Sequence, residues 1–357
     1  MKKFLAILLA TAILAAGCTP AAPTPATPPP VDAPANNTPD GTTSPAAPDG
    51  PMTIGIALPT QREERWVLDK EAFESIAAEM GVAVAIQIAD NDAARQQNQV
   101  ENLIAQGVSA LIVAAHDGTA ARSMVELAHG AGIPIIAYER LITDSAVDLF
   151  ITFDSFMTGY LMGQYIVDTV ESGNIVLLKG DPQDSTSAIL REGSMAAMQE
   201  KLDSGAYTIV MEMDCRDWAP SEALRHMEQA LTANDNDIQG VIAPNDGTAG
   251  GVIQALAAQG LAGHVPVTGQ DAEVDAIKRI IEGTQGMTVF GDVRELAVFA
   301  FQTAVDMASG GTAPSTDVLD NGAFQTPVYR FPGTTVTQQN WEEVVVNSGY
   351  MTMDQLQ

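Results

Sequence analysis

The sequence predicts an α/β fold, with parallel sheets covered by helices on both faces and arranged as two similar lobes. Three observations predict it. Short apolar runs alternate with amphipathic helical stretches from Met52 onward. The runs are continuously apolar, as strands buried on both faces are. One residue pattern also recurs about 130 positions downstream.

Thr53-Ile54-Gly55-Ile56-Ala57-Leu58 is the first expected strand. The next helix places Phe73, Ile76, Ala77 and Met80 on one face and stops at Gly81. Val82 to Ile88 is the second strand. Val100, Leu103 and Ile104 mark a helix that stops at Gly107. Leu111-Ile112-Val113 and Pro134-Ile135-Ile136-Ala137 follow as strands with a helix between them. The alternation resumes at Ile175-Val176-Leu177-Leu178. It continues through Tyr207 to Met211, Val241-Ile242-Ala243, Val265 to Thr268 and Met287-Thr288-Val289. Strand–helix units of this length feed a parallel sheet.

The recurrence has chemical content. Ala115-His116-Asp117-Gly118-Thr119-Ala120 returns in kind as Pro244-Asn245-Asp246-Gly247-Thr248-Ala249. Gly132-Ile133-Pro134-Ile135 is echoed by His264-Val265-Pro266-Val267, and Glu139 and Asp271 each stand five residues after the matching proline. Each carboxylate thus follows a strand, one per lobe, where open parallel sheets bind ligands. Two carboxylates facing across a cleft accept hydrogen bonds from a polyol, and Arg140 adds a forked donor. The spacing equally fits two helix N-caps.

The first 51 residues stand apart. Met1-Lys2-Lys3 is basic, and Phe4 to Ala16 is apolar but too short to span as a mature helix. Leu14-Ala15-Ala16-Gly17-Cys18 resembles a bacterial lipoprotein signal that ends at a lipidated Cys18, although the leucine sits four residues before the cysteine instead of three. Residues 19–51 hold 11 of the chain's 20 prolines, so an extended tether is expected there. The expected location is the extracytoplasmic face of the cell membrane, held by lipid alone. Cys215 is then a lone thiol, read as a small buried hydrophobe.

Composition removes whole classes of function. The net charge is −28, which repels phosphate backbones, so no nucleic-acid partner is expected. Two cysteines and no Cys/His cluster leave no disulfide framework or zinc site, and no metal or cofactor is expected. Asn234-Asp235-Asn236-Asp237 lacks the following bidentate glutamate of a calcium loop and reads as a solvated turn. There is no Gly-x-Ser-x-Gly elbow, P-loop or Gly-x-Gly-x-x-Gly fingerprint. His116, His129, His226 and His264 have no evident Ser or Cys partner, so no enzyme is expected.

A family resemblance adds to this reading. It is carried by Pro59-Thr60-Gln61-Arg62-Glu63-Glu64-Arg65-Trp66, Ala137-Tyr138-Glu139-Arg140, Pro244 to Gly251, Ile253-Gln254-Ala255-Leu256, Thr268-Gly269-Gln270-Asp271-Ala272-Glu273, Gly283-Thr284-Gln285 and Met287 to Phe290. From about residue 53 to about 345 the chain resembles the periplasmic sugar-binding proteins of ABC importers, of the D-xylose- and multiple-sugar-binding type. The resemblance implies two Rossmann-like lobes joined by three hinge crossings, the type I periplasmic binding protein fold. The N-terminal lobe is expected to hold residues 52–153 and about 291–325. The C-terminal lobe is expected to hold 154–290 and about 326–357, with crossings near Phe153-Asp154, Phe290-Gly291 and Thr326-Pro327.

The resemblance also implies a monosaccharide site, with xylose or a similar aldopyranose as ligand. Arg65, Trp66, Arg140, Asp184, Trp218, Asn245 and Asp271 match family positions, the two indoles sandwiching a pyranose. Asn245 would both donate to and accept from a hydroxyl. Three positions depart from the pattern: Glu139 stands for an aspartate, Thr186 for an asparagine, and Gly291 for a lysine that reaches the sugar. The implied partners are an ABC permease and its ATPase, with a monomeric binding protein delivering sugar to them. The alternative is a sugar-sensing component that docks a chemoreceptor or membrane kinase.

Overall fold

A computed structural model describes residues 51–357. The expected signal, Cys18 and all but the last residue of the expected tether lie outside the described residues. Among the described residues, no helix is long and apolar enough to cross a membrane.

The first sheet contains β1 (Thr53–Leu58), β2 (Ala83–Ile88), β3 (Ala110–Val113), β4 (Ile135–Tyr138), β5 (Leu149–Phe153), β10 (Asp317–Asp320) and β11 (Gln325–Phe331). Their order is β10-β11-β5-β4-β3-β1-β2, parallel except for the β10–β11 hairpin. Alternate residues of β1 face opposite cores. Ile54, Ile56 and Leu58 pack with Phe73 of α1 (Glu64–Met80) and with Leu296 and Phe301 of α9 (Val293–Ala308). Ala57 faces the other core, with Val100 and Leu103 of α2 (Ala93–Ala105) and Met124 of α3 (Arg122–Gly130). Burial on both faces is why the strands read as unbroken apolar runs. Gly81 ends α1 in the left-handed region at φ 65°, as its place after the last apolar residue predicts.

The second sheet contains β6 (Gly173–Lys179), β7 (Tyr207–Asp214) and β8 (Gly240–Ile242), in the order β7-β6-β8. Val267 bridges Val241 of β8 in parallel, and Gln270 bridges Val289 of β9 (Met287–Phe290). The stretch around Val267 therefore holds the place that β4 holds in the first lobe, although it pairs only through isolated bridges. The recurrence in the sequence falls on equivalent places: Glu139 follows β4, and Asp271 follows the bridged stretch. The lobe is completed by α4 (Ser155–Thr169), α5 (Ser185–Asp203), α6 (Pro220–Ala233), α7 (Asp246–Ala258) and α8 (Val274–Glu282). The α4–α5 contact needs glycine: a Cβ on Gly159 would lie 1.9 Å from the Leu190 carbonyl oxygen.

The chain passes between the sheets three times. The first two passages leave β5 after Phe153 and β9 after Phe290. The third is not at Thr326-Pro327. β11 runs on beside β5 through Phe331, and only β12 (Thr334–Thr337) pairs with β9. The passage is therefore Pro332-Gly333, and the first lobe extends to 331. Pro327 is accommodated because it faces Val318 of β10 ahead of the β5 register, which begins at Val328.

Candidate functional site

Both sheets turn their strand carboxyl ends toward one cavity. It is lined by all nine residues expected at the site: Arg65, Trp66, Glu139, Arg140, Asp184, Thr186, Trp218, Asn245 and Asp271. Glu63 and Gln270 line it as well. The sequence reading overlooked these two, though each stands beside or within a motif that it singled out.

Arg65 organises the first lobe's wall from the first turn of α1. Its Nη1 donates to Glu139 Oε1 at 3.0 Å, and its Nε and Nη2 donate to Asp69 Oδ2 at 3.3 and 3.2 Å. Asp69, one helical turn on and fully buried, also accepts from the Tyr138 hydroxyl. Burial pushes the Asp69 carboxyl up to about 6 even beside Arg65. Burial would lower Arg65, but Asp69, Glu139 and Asp271 hold it well above its ordinary value. Glu139 has φ 63°, which ends β4 and turns the carboxylate back, so that Oε2 accepts from the Phe153 amide at 3.2 Å. The Arg65 and Arg140 guanidinium groups lie 4.4 and 5.3 Å from the Trp66 ring centroid, within cation–π range.

The second lobe supplies the opposing wall. Asp271 has φ 98°, and its Oδ1 stands 4.0 Å from Arg65 Nη1. Neither Glu139 nor Asp271 caps a helix: Asp154 caps α4 and Glu273 precedes α8. The capping role falls to two other candidates. Asp184 caps α5 through Oδ1 while Oδ2 meets Arg140 Nε at 2.9 Å. Asn245 caps α7, its Oδ1 accepting from the Thr248 amide and hydroxyl at 3.0 and 2.7 Å. Only the Asn245 amide nitrogen is thus left to meet a ligand, not both ends of the amide. The Thr186 hydroxyl donates across the cleft to the Glu139 carbonyl at 3.1 Å. It is a tie between lobes as well as part of the lining.

Trp218 lies against bare backbone, since a Cβ on Gly180 would fall 2.2 Å from its ring. Its Nε1 is buried without a hydrogen-bond partner among the described residues. Gly291 has a packing explanation too: a Cβ there would lie 2.4 Å from the Phe153 ring. The place of the missing lysine is occupied by that ring. Gly291→Lys is therefore expected to lower the melting temperature without tightening ligand binding, checked by thermal denaturation and titration.

Further carboxylates sit behind Asp271. Asp246 is fully buried and accepts from Gln285 Nε2 at 2.7 Å, Thr288 Oγ1 at 2.9 Å and the Glu273 amide at 3.0 Å. Burial, with the charge of Asp271, pushes Asp246 above the ordinary carboxylate range, and burial with Asp246 and Asp271 pushes Glu273 up likewise. A raised carboxyl pKa means that the folded chain keeps protons which the unfolded chain has released. Stability from these groups is therefore present at low pH and lost as pH rises through the folded pKa. The melting temperature should rise as pH falls from about 9 to about 6, and Glu273→Gln should flatten that slope. An unchanged slope would exclude Glu273 as its source.

Relatives place this architecture. Residues 54–312 match the family described as "Periplasmic binding protein domain". The chain belongs to the periplasmic binding protein family. Over 308 residues it is 38% identical to the D-xylose-binding periplasmic protein of Escherichia coli, covering 86% of this chain and 93% of that protein. A solute-binding protein of Chloroflexus aurantiacus in complex with D-glucose superposes with a TM-score of 0.79 at 32% identity, covering 85% and 97% of the two chains. One from Clostridium phytofermentans with bound β-D-glucose gives a TM-score of 0.79 at 30% identity, covering 85% and 100%. This periplasmic binding protein thus shares the two-lobed fold with carbohydrate-holding structures over nearly all of its described residues.

Proposed function

We propose that this periplasmic binding protein captures a monosaccharide, xylose or a similar aldopyranose, between its lobes and delivers it to an ABC permease. The observation that carries this reading is the cavity wall. Two indoles, two guanidinium groups and four carboxylates line one space. Apolar ring faces suit the sugar's C–H surfaces, and charged groups suit its hydroxyl rim. Capture proceeds by lobe closure, drawn together by ties already visible across the cleft. These include Arg140 to Asp184 at 2.9 Å, Gln183 Nε2 to Asp117 at 2.9 Å, and Ser185 Oγ to the Leu141 carbonyl at 3.3 Å.

The test is a tryptophan-fluorescence titration of residues 52–357 with pentoses and hexoses. Trp66 and Trp218 line the cavity, while Trp341 packs against the C-terminal cluster and supplies a constant background. Saturable change with xylose or glucose near micromolar concentration supports the reading, and silence across all simple sugars overturns it. Cys18 is proposed as the lipid attachment point, holding the monomeric body at the extracytoplasmic membrane face. Cys18→Ala should move the protein from the membrane fraction to the soluble fraction.

A further inference from the structure

The charges around the cavity do not balance. Its lining holds four carboxylates, Glu63, Glu139, Asp184 and Asp271, against the guanidinium groups of Arg65 and Arg140. Arg140 is paired with Asp184 at 2.9 Å. Arg65 is divided between Glu139 at 3.0 Å and the buried Asp69 at 3.2 Å. Glu63 has no salt bridge among the described residues, and Asp271 comes no nearer to a cation than 4.0 Å. Two carboxylates of the lining, one from each lobe, are thus left without a close cationic partner.

The unpartnered polar atoms point the same way. Glu63 Oε2 and Gln270 Oε1 are buried in the lining with no hydrogen-bond partner among the described residues. Gln270 is held beside Asp271 by its own amide, which donates to Asp271 Oδ1 at 3.3 Å. Asp271 Oδ2 accepts no hydrogen bond among the described residues. Glu63, Gln270 and Asp271 therefore offer three acceptor oxygens. On the other side, Trp218 Nε1 is a buried donor without a partner, on a side chain only 8% exposed.

A hydroxyl carries one proton and no charge, so it meets one of these acceptors and leaves the excess charge in place. An ammonium carries three N–H donors and a positive charge. It can donate to more than one of these acceptors and offsets the excess negative charge of the lining. We propose that the site's preferred ligand is a sugar bearing a protonated amine, and that Glu63 is the residue that selects it. Burial raises the pKa of both Glu63 and Asp271, as expected for carboxylates awaiting a cation. The indole of Trp218 then donates to a ring or hydroxyl oxygen of the same ligand.

The inference rests on the sugar-binding reading, and one experiment separates the two. The full chain, purified in mild detergent, is titrated calorimetrically at about pH 6 with D-glucose and with its 2-amino-2-deoxy, 3-amino-3-deoxy and 6-amino-6-deoxy forms. N-acetylglucosamine serves as the uncharged control. At least one amine should bind about tenfold more tightly than glucose, and acetylation should remove the gain at the 2-position. In Glu63→Gln, an isosteric change whose folding is checked by melting temperature, the amine should lose more affinity than glucose does. If glucose or xylose binds while every amine binds more weakly, the inference falls and the sugar-binding reading stands. An amine preference that survives Glu63→Gln overturns the selecting role of Glu63. If no sugar binds in either form, both readings fall.

Discussion

Arg65→Met is expected to cost about 3–5 kcal/mol of folding stability and to abolish ligand binding. The guanidinium is buried and holds two buried carboxylates, Asp69 and Glu139, with Asp271 at 4.0 Å. Methionine fills much of the volume but answers none of those charges. Asp69 would then have to take up a proton in order to stay buried, so the loss should shrink at acid pH. Urea unfolding at neutral and acid pH reads both effects. A loss below about 1 kcal/mol at neutral pH would show that water or a rearranged lobe answers the charges instead.

Asp271→Asn should have the opposite balance. Binding should weaken by at least tenfold, because a charge-assisted bond to a ligand hydroxyl or amine contributes about 1.5–3 kcal/mol. Stability should be unchanged or higher. Burial raises the Asp271 carboxyl, so in the empty protein the charge is a cost which an amide removes. Asparagine also tolerates the positive φ of 98°, whereas alanine would add backbone strain. Calorimetric titration alongside thermal unfolding reads both. Full affinity in this variant would place the ligand away from Asp271.

Much of this was legible in the sequence, because the signals are local. Apolar runs and helix stops gave the order of elements in both lobes. The recurrence of Glu139 as Asp271 revealed the duplication that puts one carboxylate at each carboxyl edge. β5 was missed because it follows β4 without an intervening helix, and β10 and β12 because they are short, partly exposed edge strands. The resemblance placed the third passage near Thr326-Pro327, and only the pairing of β11 with β5 and of β12 with β9 puts it after Phe331.

The same division runs through the site. Sequence motifs named its residues but not their partners. Glu63 and Glu64 are adjacent and chemically alike. The extended backbone of Glu63 before α1 turns one into the cavity, while Glu64 accepts from the Val274 amide of the other lobe at 3.3 Å. No periodicity distinguishes the two. Likewise, Thr186 and Asn245 are polar residues of the right kind, but their first obligations are the Glu139 carbonyl and the cap of α7.

The sequence by itself determined the element order, the two-lobe duplication, the acidic character and the set of side chains available to the cleft. Periodicity and strand-end position depend on neighbours along the chain. Only the tertiary structure decided which carboxylates are answered by Arg65 and Arg140, and which face the cavity unpaired. Those pairings join residues as far apart as 65 and 271, and charge balance in a buried space depends on contacts across it.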